Sequence, residues 1–195
     1  MIKKSAKTYF KGFAAGVIVS IVLLRTYPSI YHIFTGALTK KLEIQRQIIP
    51  SLPLMLIVNN TIAALICAFG GYGFTKVYLK RGIEKERLYS FTLNIFPVIV
   101  LFSSGFVVGA FLPPFINDLT SYFALLLPHG IFELPATILS GSIGFDIADT
   151  AHQISRSIEI FAEKIEYKIK SKKNEYVTIL ILIALGGILE GVWPL

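Results

Sequence analysis

The stretch LYSFTLNIFPVIVLFSSGFVVGAFLPPFIN, residues 88–117, carries no charged side chain over 30 positions. A bilayer core is about 30 Å thick and takes roughly 20 helical residues to cross, so this run predicts a transmembrane helix together with its two ends. Residues 47–75 repeat the pattern with 29 uncharged positions. Of 195 residues 54% are hydrophobic and 16% charged, and the mean hydropathy is +0.66. An ordinary soluble domain carries about a quarter charged residues and is excluded. The predicted fold class is all-α, a polytopic membrane helix bundle.

Working outward, five crossings are expected near residues 10–30, 52–77, 89–112, 119–147 and 175–194, making one transmembrane domain of residues 1–195. With the N-terminus inside, Lys3, Lys4, Lys7 and Lys11, then Lys76, Lys80, Arg81, Lys85 and Arg87, then Arg156, Lys164, Lys168, Lys170, Lys172 and Lys173 give fifteen inner basic residues. Three, Lys40, Lys41 and Arg46, fall outside, and Arg25 snorkels from the outer end of the first span. Splitting residues 119–147 into two crossings would even the score at nine against nine. The expected location is therefore the cell membrane, with the N-terminus cytoplasmic and the C-terminus outside. Lys3 to Lys11 lead into an apolar run without a small-residue cleavage pattern, so the first span is read as uncleaved. Tyr27, Tyr31 and Trp193 fall at the outer surface of this layout, and Tyr72, Tyr78 and Tyr89 near the inner one.

Two segments outside the spans look amphipathic. Near 37–49, Ala37, Leu38, Leu42, Ile44, Ile48 and Ile49 share a helical face, as in a helix lying in the outer interface. Near 147–173, Ile147, Ala151, Ile154, Ile158, Phe161, Ile165 and Ile169 recur at three- and four-residue steps, which suits an inner-surface helix. The formal charge of +7 sits in short blocks beside apolar spans, so anionic lipids of the inner leaflet are the expected partner and nucleic acid is not. Cys67 is the one cysteine and is read as a small packing residue.

Glycines spaced by four let two backbones approach closely in lipid, where packing drives association. Gly12 and Gly16, Gly105 and Gly109, and Gly187 and Gly191 have this spacing, while Gly141 and Gly144 lie among small residues of the fourth span. They predict helix contacts within the bundle or in a homo-oligomer.

The informative polar residues lie in LPHGIFELP, residues 127–135. Counted from Asp118, His129 is about 16 Å and Glu133 about 22 Å deep, the costliest place for an ionisable group. Pro128, Gly130 and Pro135 predict a broken fourth helix. Asn59, Asn60 and Asn94 in the preceding spans are placed to meet the pair in one polar core. Such a core either fixes the fold through interhelical hydrogen bonds or lines a path for a solute or ion. One His and one Glu are too few for zinc unless Asp146, Asp149, His152 or a second subunit contributes, so no metal or cofactor is expected. Asp149 and His152 are expected to be solvated at the inner surface. No zinc-protease, phosphate-loop or serine-elbow motif is present, and Ser140-Gly141-Ser142 reads as packing, so the chain is not expected to be an enzyme.

Pro128-His129-Gly130, then Glu133-Leu134-Pro135-Ala136, then Gly141 and Gly144, with Asn59-Asn60 and Asn94 upstream, resembles the signature of the stage II sporulation protein M family over roughly residues 50–195. Ile95 stands where members of that family often carry glycine. The resemblance implies a polytopic membrane protein; sporulating bacterial members act with cell-wall hydrolases at the septum as the membrane anchor of that complex. It also implies a shared polar core at His129, Glu133, Asn59 and Asn94. Two functional expectations follow: a non-enzymatic membrane scaffold, homodimeric, that organises membrane or cell-envelope proteins; alternatively a channel or transporter using the seam around His129 and Glu133.

The charge asymmetry makes a direct prediction. In a Cys67→Ser background, an impermeant thiol reagent added outside should label Asp118→Cys and leave Lys85→Cys and Lys172→Cys untouched. Outside labelling of either lysine position reverses the topology.

Overall fold

The computed structural model describes residues 1–48, 51–81, 86–153 and 158–192, and all their regular structure is helical. The elements are α1 (Ile2–Thr26), α2 (Pro28–Ile48), α3 (Leu52–Lys80), α4 (Glu86–Ala110), a 3-10 turn (Pro113–Phe115), α5 (Leu119–Gln153), α6 (Ile158–Ser171) and α7 (Lys173–Val192). Four described segments are long and apolar enough to cross a membrane: Ile2–Thr26, Pro53–Lys80, Leu88–Phe115, which bends at residues 111–112, and Gly130–Ala151. The fifth expected crossing falls on α7, whose 20 residues measure about 30 Å.

The first helix starts earlier than the expected 10–30 and stops at Thr26. Pro28 disfavours helical geometry at the residue before it, and Tyr27 indeed sits at φ −141°, ψ 65°. The chain then turns directly into α2, of which the expected amphipathic segment is only the second half. Residue 49 lies outside the described residues. The second amphipathic segment is likewise divided: Ile147 and Ala151 belong to the end of α5, and Ile165 and Ile169 to α6. Ile147, Ala151 and Ile165 are buried in the main core with Ile143, Ile179 and Ile183, so this stripe packs against protein.

Glycine sets the architecture. A β-carbon placed on Gly12 would collide with the Phe102 carbonyl, one on Gly16 with the Phe106 carbonyl, one on Gly105 with the Tyr9 carbonyl and one on Gly109 with the Phe13 carbonyl. Both four-residue pairs thus meet each other inside one chain, and α1 packs more heavily on α4 than on any other helix. Residue numbers rise together along this contact, so α1 and α4 run parallel. Gly141 against Leu101 and Gly144 against Pro97 make α5 antiparallel to α4. Gly70 against Phe96 with Gly71 against Leu93 does the same for α3, and Gly187 against Ile57 with Tyr176 against Phe69 sets α7 antiparallel to α3. Helices α1, α4 and α7 therefore point one way and α3 and α5 the other.

That arrangement decides the role of α2. Its 21 residues would reach about 31 Å, enough to span. Had α2 crossed, α1 and α4 would be antiparallel; being parallel, they admit one crossing between them, and α3 is that crossing. Alternation of α1, α3, α4, α5 and α7 is what five crossings require.

Helix α5 is assigned continuously from Leu119 to Gln153, so the expected break at Pro128, Gly130 and Pro135 does not divide it. In lipid an opened turn strands several backbone groups, whereas a proline forfeits one hydrogen bond, and the helix persists. It is bent, however. Gly141 lies against Leu101 while the Tyr122 hydroxyl donates to the Val108 carbonyl at 2.9 Å. A straight helix would carry Tyr122 about 28 Å from Gly141, against about 10 Å from Leu101 to Val108 along α4, more than a tyrosine side chain spans. The bend lies between Tyr122 and Gly141, the stretch that holds Pro128, Gly130 and Pro135. Asp118 caps the start of this helix, accepting from the Ser121 amide at 3.1 Å and from the Ser121 hydroxyl, which together hold its carboxyl below the usual aspartate range.

Because the α1–α4 contact is backbone against backbone, the partner cannot yield. Gly109→Leu should cost about 1–3 kcal/mol, typical of overpacking. Gly73→Ala, where nothing stands within 4 Å, should be neutral or slightly stabilising. Thermal unfolding in mild detergent reads the difference; equal shifts for the two substitutions would contradict the packing scheme.

Candidate functional site

The polar residues of the membrane region gather at two levels of the bundle. At the upper one, level with the last turns of α4, the Asn60 side-chain amide on α3 donates to Glu133 Oε1 on α5. The helices' register brings them together: α3 and α5 run parallel, and the Cys67 carbonyl lies against Gly144, seven residues beyond Asn60 and eleven beyond Glu133. Both side chains are half-buried, and Asn59 beside them is half-buried and has a partner of its own. The backbone of His129 lies one helical turn before Glu133, and its side chain is outside the described residues.

Sequence patterning missed the aromatic part of this cluster. Tyr9 on α1, 8% exposed, lies within electrostatic reach of Tyr122 and Glu133. Tyr122, 3% exposed, donates to the Val108 carbonyl, and Tyr31, also 3% exposed, donates from α2 to the Ala110 carbonyl at 3.4 Å. Val108 and Ala110 end α4, where the last four carbonyls lack helical partners. The Leu112 amide, at 3.2 Å, serves the Gly109 carbonyl between them. The only hint in the sequence is that Tyr31 and Tyr122 lie beside proposed interfaces, where the ring is apolar and the hydroxyl polar.

Asn94 is not part of this group. It donates to the Ser90 carbonyl of its own helix at 2.9 Å, and it lies 14 residues, about 21 Å, down α4 from Val108. The expected single seam is thus divided. At the lower level, Asp146 at the end of α5 pairs with Lys168 at 3.0 Å and Lys172 at 3.1 Å, and Lys172 also reaches Glu175 at 2.9 Å. Asp149 sits 4.0 Å from Lys4, whose ammonium lies 4.1 Å above the Phe145 ring. The Glu175 carboxylate beside Lys172 holds its ammonium above the usual lysine range, with Asp146 adding to the effect.

The remaining singled-out residues serve packing. Gly141, Gly144 and Gly187 face side chains or backbone of neighbouring helices, and so do Gly70 and Gly71, which lack the four-residue spacing and went unnoticed in the sequence. Gly191 lies where the surroundings are not described. The Ser140 hydroxyl donates to the Ala136 carbonyl at 2.8 Å. Among the described residues no three His, Cys, Asp or Glu side chains converge as a metal group would.

Chemically, the upper cluster joins three helices around one carboxyl and cushions it with neutral hydrogen-bonding groups. The model of the stage II sporulation protein M family matches residues 8–194, from α1 to beyond α7. The chain belongs to the stage II sporulation protein M family. Its match therefore takes in Tyr9 and the α1–α4 contact as well as the region around Glu133. Among curated proteins, an uncharacterised protein of Methanocaldococcus jannaschii is 33% identical over 105 residues, which is 52% of this chain. The match covers 47% of that protein, so the chain spans about half the length of the relative. No solved structure matches.

Asn60→Ala should remove this hydrogen bond from the half-buried carboxyl of Glu133 and destabilise the bundle by about 1–3 kcal/mol. Glu133→Gln keeps the acceptor oxygen and should cost about 0.6 kcal/mol or less, the average worth of an interhelical bond in a membrane. Unfolding in detergent measures both; a Glu133→Gln protein less stable than Asn60→Ala would refute the assignment.

Proposed function

We propose that this member of the stage II sporulation protein M family is a multi-pass membrane anchor, without enzymatic activity, that organises partner proteins of the membrane or cell envelope. The observation that carries the reading is α2. It is tied to the bundle near its start, where Tyr31 is buried, and along the rest it exposes Ile33 at 71% and Ile44 at 49%. A 21-residue helix that exposes Ile30, Ile33 and Ile44 offers a docking rail at the membrane surface.

Support also comes from the interior. Asn60 ties down Glu133, and Asn94 bonds within its own helix, so these three residues of the expected seam take part in holding the fold. The glycine faces of α1 and α4 are filled by each other, and a second copy, in this reading, meets α2 instead. Exposed Lys164, Lys170 and Lys173 suit anionic lipid headgroups on the cytoplasmic side. The N-terminus is cytoplasmic and the C-terminus outside, on the strength of the fifteen-to-three basic asymmetry.

Photoreactive residues at Ile33 and Ile44, expressed in native membranes, should give protein adducts of discrete mass, a second copy or an envelope protein. The same probe at Ile99, 56% exposed on α4, should give lipid adducts alone. Lipid adducts alone at α2, together with a pH-driven flux in proteoliposomes abolished by Glu133→Gln, would replace the anchor with the transporter.

A further inference from the structure

Lys11 stands where a lysine is expensive. Gly12 of α1 meets the Phe102 carbonyl of α4, and Gly105 of α4 meets the Tyr9 carbonyl of α1. Lys11, between Tyr9 and Gly12, is therefore level with residues 102–105, the middle of the uncharged run 88–117. The neighbouring elements give the same depth. Gly144 meets Pro97, so Asp146 with its two lysine partners lies near the level of α4 residue 95, about 13 Å below Lys11. The turn Pro113–Phe115 beyond the other end of α4 begins about 14 Å above Lys11. In a hydrocarbon core about 30 Å thick, Lys11 is thus near the midplane.

Its side chain is exposed on the face of α1 turned away from the bundle. Lys7, Lys11, Ala14, Ile18 and Val22, spaced by three and four, form this exposed stripe, opposite the buried Tyr9, Gly12, Gly16 and Ser20. Among the described residues no hydrogen bond or ion pair holds Lys11, whereas Lys4, lower on the same helix, has Asp149. An extended lysine side chain gains about 6 Å toward the headgroups, nearly enough for Lys7 one turn below and about half of what Lys11 needs. Depth and sign of charge separate the occupants that could cover the stripe. Phospholipid phosphates lie at the headgroup level, beyond the reach of Lys11. A second copy packed two-fold along the stripe would set Lys11 against Lys11. A transmembrane helix with a carboxylate at mid-span supplies the opposite charge at the right depth, and pairing is the usual state of charges within a membrane.

We propose that the exposed stripe of α1 docks a transmembrane helix of a partner protein that carries one Asp or Glu at mid-membrane, paired with the Lys11 ammonium. This rests on the anchor reading and names the chemistry by which one partner is recognised, at α1 and apart from α2. Ala14, one turn above Lys11, is small and exposed, which leaves room for the partner's backbone beside the ion pair.

The full chain is reconstituted in phosphatidylcholine vesicles with a synthetic leucine-alanine transmembrane peptide carrying one Glu at mid-span and a diazirine one turn away. Matched peptides carry Gln or Leu in place of the Glu. After illumination, cross-links to Ala14 and Ile18 should be about ten-fold more abundant with the Glu peptide than with the Leu peptide, the worth of a charge-assisted hydrogen bond. Lys11→Arg should keep that excess and Lys11→Leu should abolish it. The Lys11→Leu protein should melt no lower than the parent, since it loses no contact within the bundle. Equal cross-linking by the Glu and Leu peptides, an excess that survives Lys11→Leu, or a lower melting point for that variant overturns the proposal. So does a Lys11→Cys protein, in the Cys67→Ser background, that a water-soluble thiol reagent modifies as fast as Lys3→Cys, because the stripe would then face water. Adducts at Ile33 and Ile44 do not depend on Lys11, so failure of the α1 site and failure of the anchor reading are read separately.

Discussion

The close approach of two backbones, α1 against α4, is the contact on which the other features depend. With Gly12 and Gly16 facing Phe102 and Phe106, and Gly105 and Gly109 facing Tyr9 and Phe13, no side chain stands between the helices. Lipid tails are as apolar as leucine, so burial alone gives little reason for helices to associate, and close packing has to supply it. The contact also fixes direction. A parallel pair separated by a single crossing leaves α2 at the surface, orients α3 and α5, and brings Tyr9 alongside the carboxyl of Glu133. Several features that look separate in the sequence are consequences of one glycine face meeting another.

The polar cluster is weaker glue and a sharper constraint. One interhelical hydrogen bond in a membrane is worth about 0.6 kcal/mol on average, less than the cost of a misplaced methyl group at the glycine contact. Its value lies in register: Asn60 meets Glu133 only when α3 and α5 are correctly aligned, and sliding either by a turn would leave a carboxyl in hydrocarbon. Tyr31 and Tyr122 act similarly at the end of α4, since each reaches one particular carbonyl there. The bend of α5 belongs to the same device, because it returns Tyr122 to the level of Val108.

Hydropathy and charge made the helical membrane fold legible, because the bilayer imposes a length and an apolar character on each segment separately. Segment ends were less so. The first helix begins eight residues before the expected span because its lysines remain compatible with a helix whose side chains run toward the headgroups, a freedom that charge counting cannot see. The glycine pairs were legible as contact surfaces but not as each other's partners, since spacing within a helix carries no information about what it meets. Asn94 misled for a related reason: an amide in a span has its own helix's carbonyls within reach, and here it takes Ser90. Tyr9 was invisible, as nothing about a tyrosine near a basic terminus distinguishes a surface ring from a buried one. Prolines suggested a break in α5 because their local cost is large in water; in lipid the alternative costs more.

The lower end of the bundle shows how α6 is kept from being a loose tether. Ile165 is fully buried against the core, and Lys168 and Lys172 converge on Asp146 from the helix end that precedes α7. Partly exposed pairs of this kind are worth about 1 kcal/mol or less each, so Ile165 supplies most of the attachment and the ion pairs choose its orientation. Lys172, raised above its ordinary range by Glu175 and Asp146, contributes fully below about pH 10 and loses its contribution only as pH rises past its folded value. Throughout the physiological range, then, α6 stays docked with Lys164 and Lys170 facing away from the bundle. Because α7 leaves from the same junction, the anchoring of α6 also sets where α7 enters the membrane and where Tyr176 stands against Phe69.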